Sequence, residues 1–310
     1  MKKWVRYLSI ICLVLILFLG LSGFFFLNYA LKPNVKPYSF ESVKAQYPYI
    51  APWLDSLQTH KALKDTFIIN KEGVKLHAYY VLAKQPTPKT AVLIHGYTDN
   101  SISMFSLGYM YNQEFNYNII LPDLQYHGES EGSIIQMGWK DRLDILEWID
   151  LAPTLLRTNP DFVLHGVSMG AATTMMVAGE KTDSNIKCFV EDCGYTSVWD
   201  EFSGEAKVRF NLPSFPILDI TSWLCDVMYG WNFKEASALR AISQCHLPML
   251  FIHGAKDTFV PTEMVYRLYD VKPKPKDLWV VPLAEHAVSY KNNREIYTEK
   301  VESFINLYMN

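Results

Sequence analysis

Between Asp161 and Thr174 the chain reads Asp-Phe-Val-Leu-His-Gly-Val-Ser-Met-Gly-Ala-Ala-Thr-Thr, a stretch that few folds accommodate. Phe162, Val163 and Leu164 form the short apolar run of a buried strand. Gly166-Val167-Ser168-Met169-Gly170 interrupts it, and small helix-compatible residues follow. The pattern predicts strand, sharp turn and helix. A serine at the tip of such a turn is held in a strained backbone conformation, and its flanks must be small where strand and helix converge. Gly166 and Gly170 supply that room. The turn lifts the Ser168 hydroxyl clear of the sheet and sets it at a helix N-terminus, where backbone N–H groups stabilise negative charge. A glycine-bounded turn with an incidental serine has the same five letters, so the rest of the chain must decide.

Strand-like and helix-like segments alternate around this turn. Asp65 to Asn70 and Lys75 to Val81 predict two strands joined by a hairpin at Lys71-Glu72-Gly73. Ala91 to Ile94, Asn118 to Leu121, Ile186 to Val190, Pro248 to His253 and Asp277 to Val281 are apolar runs of strand length. Helices are predicted at Ser103 to Tyr111, Trp139 to Leu156, Pro261 to Tyr269 and Tyr297 to Tyr308. The fold class is therefore α/β, with a mostly parallel central sheet and helices on both faces. From about Val198 to Lys234 the rhythm breaks into a segment rich in aromatic residues. This reads as an inserted helical cap over a cleft, with Trp199, Phe202 and Trp223 as candidate substrate contacts. The competing reading is a packing insert that touches no ligand.

Ligands of such sheets bind beyond the carboxyl ends of the strands, and Tyr97, Ser168, Asp192, Asp257 and His286 all stand just past predicted strand ends. A serine hydroxyl needs a base oriented by a carboxylate to become a nucleophile. Of the eight histidines, only His286 follows Asp257, and it lies after the last strand. The order serine, acid, histidine selects Asp257 as the acid and His286 as the base, with Asp192 as the alternative acid. His95-Gly96-Tyr97 ends a strand in a glycine turn that can aim the Tyr97 N–H into the cleft. Asp123 and His127 lie so close in one polar loop that a hydrogen bond within the loop suits them better than catalysis.

The N-terminus calls for a different environment. Lys2, Lys3 and Arg6 precede an uncharged apolar run from about Tyr7 to Leu31, long enough at about 1.5 Å per residue to cross a bilayer core of about 30 Å. No Ala-x-Ala-like cleavage site stands before Pro33, which favours an uncleaved anchor over a signal peptide. Residues 1–32 are read as a single-pass transmembrane anchor lying outside the fold, 33–64 as a linker and packing segment, and 65–310 as the catalytic domain with its cap at about 198–234. The cationic residues before the span place the domain on the extracytoplasmic side of the cell membrane. A net charge of −3 with scattered cations gives no field for nucleic acid. Five cysteines, one of them Cys12 in the apolar span, have no disulfide or metal-ligand spacing, and Cys188 reads as a buried thiol.

Taken together, His95-Gly96-Tyr97-Thr98-Asp99-Asn100, Gly166-Val167-Ser168-Met169-Gly170, Glu191 to Ser197, His253-Gly254-Ala255-Lys256-Asp257 and Ala284-Glu285-His286 resemble the α/β-hydrolase superfamily over about residues 65 to 308. Within it the chain looks like membrane-anchored bacterial extracytoplasmic serine hydrolases of the esterase and prolyl-oligopeptidase-like group. The resemblance implies a nucleophile at Ser168, an acid at Asp257, a base at His286, and oxyanion donors at the Tyr97 and Met169 backbone N–H groups. It implies acyl transfer with no cofactor and no metal. The loop at Asp123 departs from the usual Asp-x-Arg-Gly-His-Gly pattern, with Gln125 and Tyr126 in place of Arg-Gly. The expected substrate is a small-molecule carboxylic ester. A short peptide or aminoacyl amide is the second enzyme reading, and a catalytically silent surface binding protein is the reading from another class.

Overall fold

Runs of unbroken apolar character mark the middle of the sheet, because strands covered on both faces have no solvent side to alternate with. The strands of this computed structural model, which describes residues 2–34, 38–181 and 185–309, follow that rule. They are β1 (Lys64–Ile69), β2 (Lys75–Val81), β3 (Lys89–Ile94), β4 (Asn118–Pro122), β5 (Asp161–Val167), β6 (Ile186–Asp192), β7 (Met249–Gly254) and β8 (Lys276–Val281). They form one eight-stranded sheet in the order β1-β2-β4-β3-β5-β6-β7-β8. β1 pairs antiparallel with β2, and β2 with β4; every pairing from β4 to β8 is parallel. β4 and β7 are buried along their whole length, whereas β1, at the edge, alternates and is largely exposed.

The helices are α1 (Lys2–Leu31), α2 (Phe40–Gln46), α3 (Ala51–Thr59), α4 (Phe105–Tyr109), α5 (Asp141–Leu156), α6 (Met169–Val177), α7 (Val198–Phe210), α8 (Ile217–Tyr229), α9 (Ala238–Ile242), α10 (Glu263–Val271), α11 (Ser289–Asn292) and α12 (Arg294–Ile305). Two apolar layers result. One face of the sheet buries Trp148 of α5, Met175 of α6 and Leu268 of α10. The other buries Leu54 of α3, Phe105 of α4 and Tyr297 of α12. The aromatic break in the rhythm becomes the helical pair α7 and α8. Ser197 caps α7 by accepting from Asp200 N.

The N-terminal helix differs from its sequence reading in one respect. Its first half is exposed, as an isolated apolar span is, but its last turns belong to the domain. Leu27 and Leu31 are fully buried, Ile135 N donates to the Leu31 carbonyl (2.9 Å), and the Tyr97 hydroxyl donates to the Ala30 carbonyl (2.8 Å). A Cβ on Gly23 would stand 2.7 Å from Cγ2 of Ile220 in α8, so the two helices touch where no side chain fits. Hydropathy registers that a helix is apolar but not what covers it, so the role of the last turns of α1 as a packing element was invisible in sequence. The segment after it does pack, through Val43, Ile50 and Leu54; residues 35–37 lie outside the described residues.

The turn at Ser168 sets the tolerance of the whole arrangement. A Cβ on Gly166 would lie 2.0 Å from the Gly170 carbonyl oxygen, and one on Gly170 would lie 2.0 Å from the Ile94 carbonyl oxygen. Backbone on both sides leaves nothing flexible to yield. Gly170→Ala is expected to destabilise the protein by about 3 kcal/mol or more through overpacking. Gly204→Ala, at a helical position with nothing within 4 Å, is expected to be neutral or slightly stabilising. Thermal denaturation of the two variants checks the contrast.

Candidate active site

Three loops at the carboxyl ends of β5, β7 and β8 converge. β5 ends at Val167, and Ser168 follows as the residue before α6, with φ 57° and ψ −118°, a conformation that L residues rarely adopt. Ser168 N donates to the Asp192 carbonyl (2.8 Å), which pins the turn to the neighbouring strand end. The side chain is nearly buried. Its Oγ stands 2.8 Å from His286 Nε2, and His286 Nδ1 stands 2.7 Å from Asp257 Oδ2.

The protonation of this run follows from the surroundings of Asp257. Burial alone pushes its pKa up, but hydrogen bonds from His253 and His286 and their positive fields outweigh burial and hold it at about 2. Oδ1 also accepts from Phe259 N (3.0 Å) and Val260 N (2.9 Å). An ionised Asp257 only accepts, so His286 Nδ1 donates to it. When that ring is neutral, its Nε2 is left to accept from the Ser168 hydroxyl. His253, read from sequence as structural, donates from Nε2 to the Val260 carbonyl (2.9 Å) and stands 3.4 Å from Asp257 Oδ2.

The alternative acid is differently engaged. Asp192 accepts from the Tyr297 hydroxyl (3.0 Å) and Ser289 Oγ (3.3 Å), and burial raises its pKa to about 6. Asp123 and His127 do not bond to each other. Asp123 accepts from His77 Nδ1 (2.7 Å) and Ser101 N (2.7 Å), and His127 bonds the Gln125 carbonyl through Nδ1 (2.8 Å). Both brace the loop. The backbone after β3 lies against the serine: a Cβ on Gly96 would be 3.4 Å from Ser168 Cβ and 3.9 Å from its Oγ. Tyr97 follows directly, and Met169 opens α6, where the first N–H groups have no partner within the helix.

Ser168 opens into a cavity of about 490 Å³. Phe202, Phe210 and Glu201 of α7, Leu218 of α8, Phe259, and Phe26 and Tyr29 of α1 are among its lining residues. Of the three aromatic contacts expected from sequence, Phe202 lines it. Trp199 does not: it packs against the core with Lys234 Nζ 3.9 Å from its ring centroid. Trp223 does not either, because its position on α8 turns it outward to 61% exposure. The α1 residues and Glu201 were missed. Glu201 is buried with Oε2 unpartnered, and burial, reinforced by Glu205 and Asp257, holds it well above the ordinary carboxylate range. Glu205 is engaged by Arg209. Among the described residues, Cys193, Asp257 and His286 are close enough to share a metal ion. Burial, reinforced by Asp192, Asp257 and Glu191, raises the Cys193 thiol well above its ordinary pKa, and Asp257 and His286 already bond each other.

Comparison with known proteins agrees with this architecture. Residues 90–217 match the family described as alpha/beta hydrolase fold. The chain is 30% identical over 244 residues to the uncharacterized protein YqkD of Bacillus subtilis, covering 78% of this chain and 79% of that protein. It is 24% identical over 220 residues to an uncharacterized membrane protein of Saccharomyces cerevisiae, covering 71% and 72%. Its fold superimposes on an esterase of Pyrococcus furiosus with a TM-score of 0.65 at 24% identity, covering 82% of this chain and 96% of that one.

The lowered pKa of Asp257 has a sign that can be checked. A carboxylate whose folded pKa lies near 2, below its ordinary 3.8, stabilises the fold above pH 4 and loses that contribution as pH falls through about 2. The stability that the Asp257 carboxylate gives wild type over Asp257→Asn is therefore expected to shrink between pH 4 and 2. Denaturant titrations across that range measure it.

Proposed function

The chain belongs to the α/β-hydrolase superfamily, and on that premise we propose that it is a serine hydrolase that cleaves carboxylic esters, with Ser168 as nucleophile, His286 as base and Asp257 as acid. The observation that carries this reading is the unbroken run Ser168 Oγ, His286 Nε2, His286 Nδ1, Asp257 Oδ2, with both links under 3 Å, opening on an apolar cavity. In the proposed reaction His286 takes the Ser168 proton as Oγ bonds to the ester carbonyl carbon. The carbonyl oxygen becomes an oxyanion that accepts from the Tyr97 and Met169 N–H groups in this proposal. Collapse expels the alcohol, which leaves with the proton from the imidazolium. Water then attacks the acyl-enzyme, giving its proton to His286, and Ser168 is regenerated as the carboxylic acid departs. Asp257, ionised throughout, stabilises the imidazolium and fixes the tautomer.

The lining supports an ester over a peptide. Phe26, Phe202, Phe210, Leu218 and Phe259 line the cavity, which suits an apolar acyl or aryl group, and Glu205 beside them is engaged by Arg209. The proposed setting is the extracytoplasmic face of the cell membrane. The exposed first half of α1, the cations before it and the similarity to a yeast protein described as a membrane protein support this.

A fluorophosphonate probe is expected to label wild type and not Ser168→Ala. Hydrolysis of p-nitrophenyl butyrate is expected to fall by about 10⁴-fold or more in Ser168→Ala and by about 10⁴-fold in Asp257→Asn, with thermal stability of the serine variant retained. Turnover of aminoacyl amides in preference to the ester would favour a peptidase. No labelling and no turnover would leave a binding protein.

A further inference from the structure

We propose that the substrate is a membrane-resident amphiphilic ester whose apolar chain enters the cavity from the bilayer, between α1 and the cap helices α7 and α8. This deepens the ester-hydrolase reading and rests on it and on α1 spanning the membrane. The wall of the cavity is made in part by the span itself: Phe26, Tyr29 and Ala30, three and four residues apart and so on one face of α1, line the same space as Ser168. About twenty residues counted from Tyr7, past Lys2, Lys3 and Arg6, measure about 30 Å, a full bilayer core. The helix therefore leaves the hydrocarbon near Phe26.

The cap is oriented by two contacts. Gly23 meets Ile220, and Lys32 Nζ lies 5.9 Å from the ring centroid of Tyr229. Equal steps along both helices show that α1 and α8 run parallel, so the start of α8 and the α7–α8 connection lie at the bilayer end. That connection carries Phe215, 75% exposed, and it contributes Leu212 and Pro213 to the cavity wall. The cavity thus reaches from Ser168 to the part of the domain nearest the hydrocarbon. On α8, Trp223 and Val227 share the face of Ile220 by helical spacing and are both more than 60% exposed. They extend the apolar surface of α1 sideways, where a soluble domain would place polar residues. A bilayer is the one occupant that covers a spanning helix and the surface continuous with it together.

The test uses the full chain in phosphatidylcholine vesicles, with a monoacylglycerol of a long-chain fatty acid dispersed in the same bilayer and p-nitrophenyl butyrate in the surrounding water. Hydrolysis of the monoacylglycerol is expected to follow its mole fraction in the bilayer rather than its bulk concentration. Phe215→Asp and Trp223→Asp, both outside the cavity, are each expected to slow it by about tenfold or more, since a carboxylate resists entering the interface. Both variants are expected to keep p-nitrophenyl butyrate turnover within about twofold. Butyrate turnover with no monoacylglycerol turnover, or an equal effect of the variants on both substrates, overturns the proposal and leaves the hydrolase reading standing. Failure of the chain to float with the vesicles overturns it through the anchor. No turnover of either ester, with no fluorophosphonate labelling, removes the hydrolase reading itself.

Discussion

The position of the Ser168 hydroxyl depends on backbone meeting backbone without intervening side chains. Gly166 against Gly170, and Gly170 against the end of β3, bring the strand, the helix and the neighbouring loop so close that any Cβ would overlap a carbonyl. Only then does the serine reach its left-handed conformation with its hydroxyl directed into the cleft. A second contact of the same kind serves the other two residues. A Cβ on Gly254 would stand 2.5 Å from the Ala284 carbonyl oxygen, and Lys256 N donates to that same oxygen (2.9 Å). The loop bearing Asp257 and the loop bearing His286 are thereby fixed to each other before their side chains interact. The sheet delivers the ends of three strands, and the two glycine contacts convert that rough proximity into bonds shorter than 3 Å.

Electrostatics then distinguishes one carboxylate from several. Asp141, Glu191 and Asp192 are all fully buried, and burial raises them to about 8, about 8 and about 6. Asp257 is buried too, yet it falls to about 2, because the hydrogen bonds and charge of His253 and His286 outweigh burial. The difference lies in the two imidazoles at its carboxylate. A carboxyl group that never protonates under ordinary conditions is what a neutral imidazole needs if it is to keep its Nδ1 proton and leave Nε2 open.

Much of this was readable in the sequence because it is local or follows from chain order. The glycines around Ser168 sit within five residues, the buried strands announce themselves as apolar runs, and the order serine, aspartate, histidine leaves one histidine after Asp257. What could not be read depends on orientation about a helix axis or on partners far away in sequence. Trp199, Phe202 and Trp223 looked alike as aromatic residues of a cap, but only Phe202 faces the cavity, because a helix turns its neighbours through about 100° each. Glu201 gave no signal, since acidic residues in a first helical turn are ordinary. The wall formed by Phe26 and Tyr29 was hidden by the strength of the hydropathy signal around them. Gly23 was the one local hint, a residue without a side chain where another helix would later lie.

That crossing also bears on how the protein is made. During translation Gly23 is made before Ile220, which seats against it and follows roughly two hundred residues later. α1 is therefore complete long before the helix that covers Gly23 exists. The cavity lined by Phe26, Tyr29 and Phe202 is closed only when α7 and α8 fold back against α1.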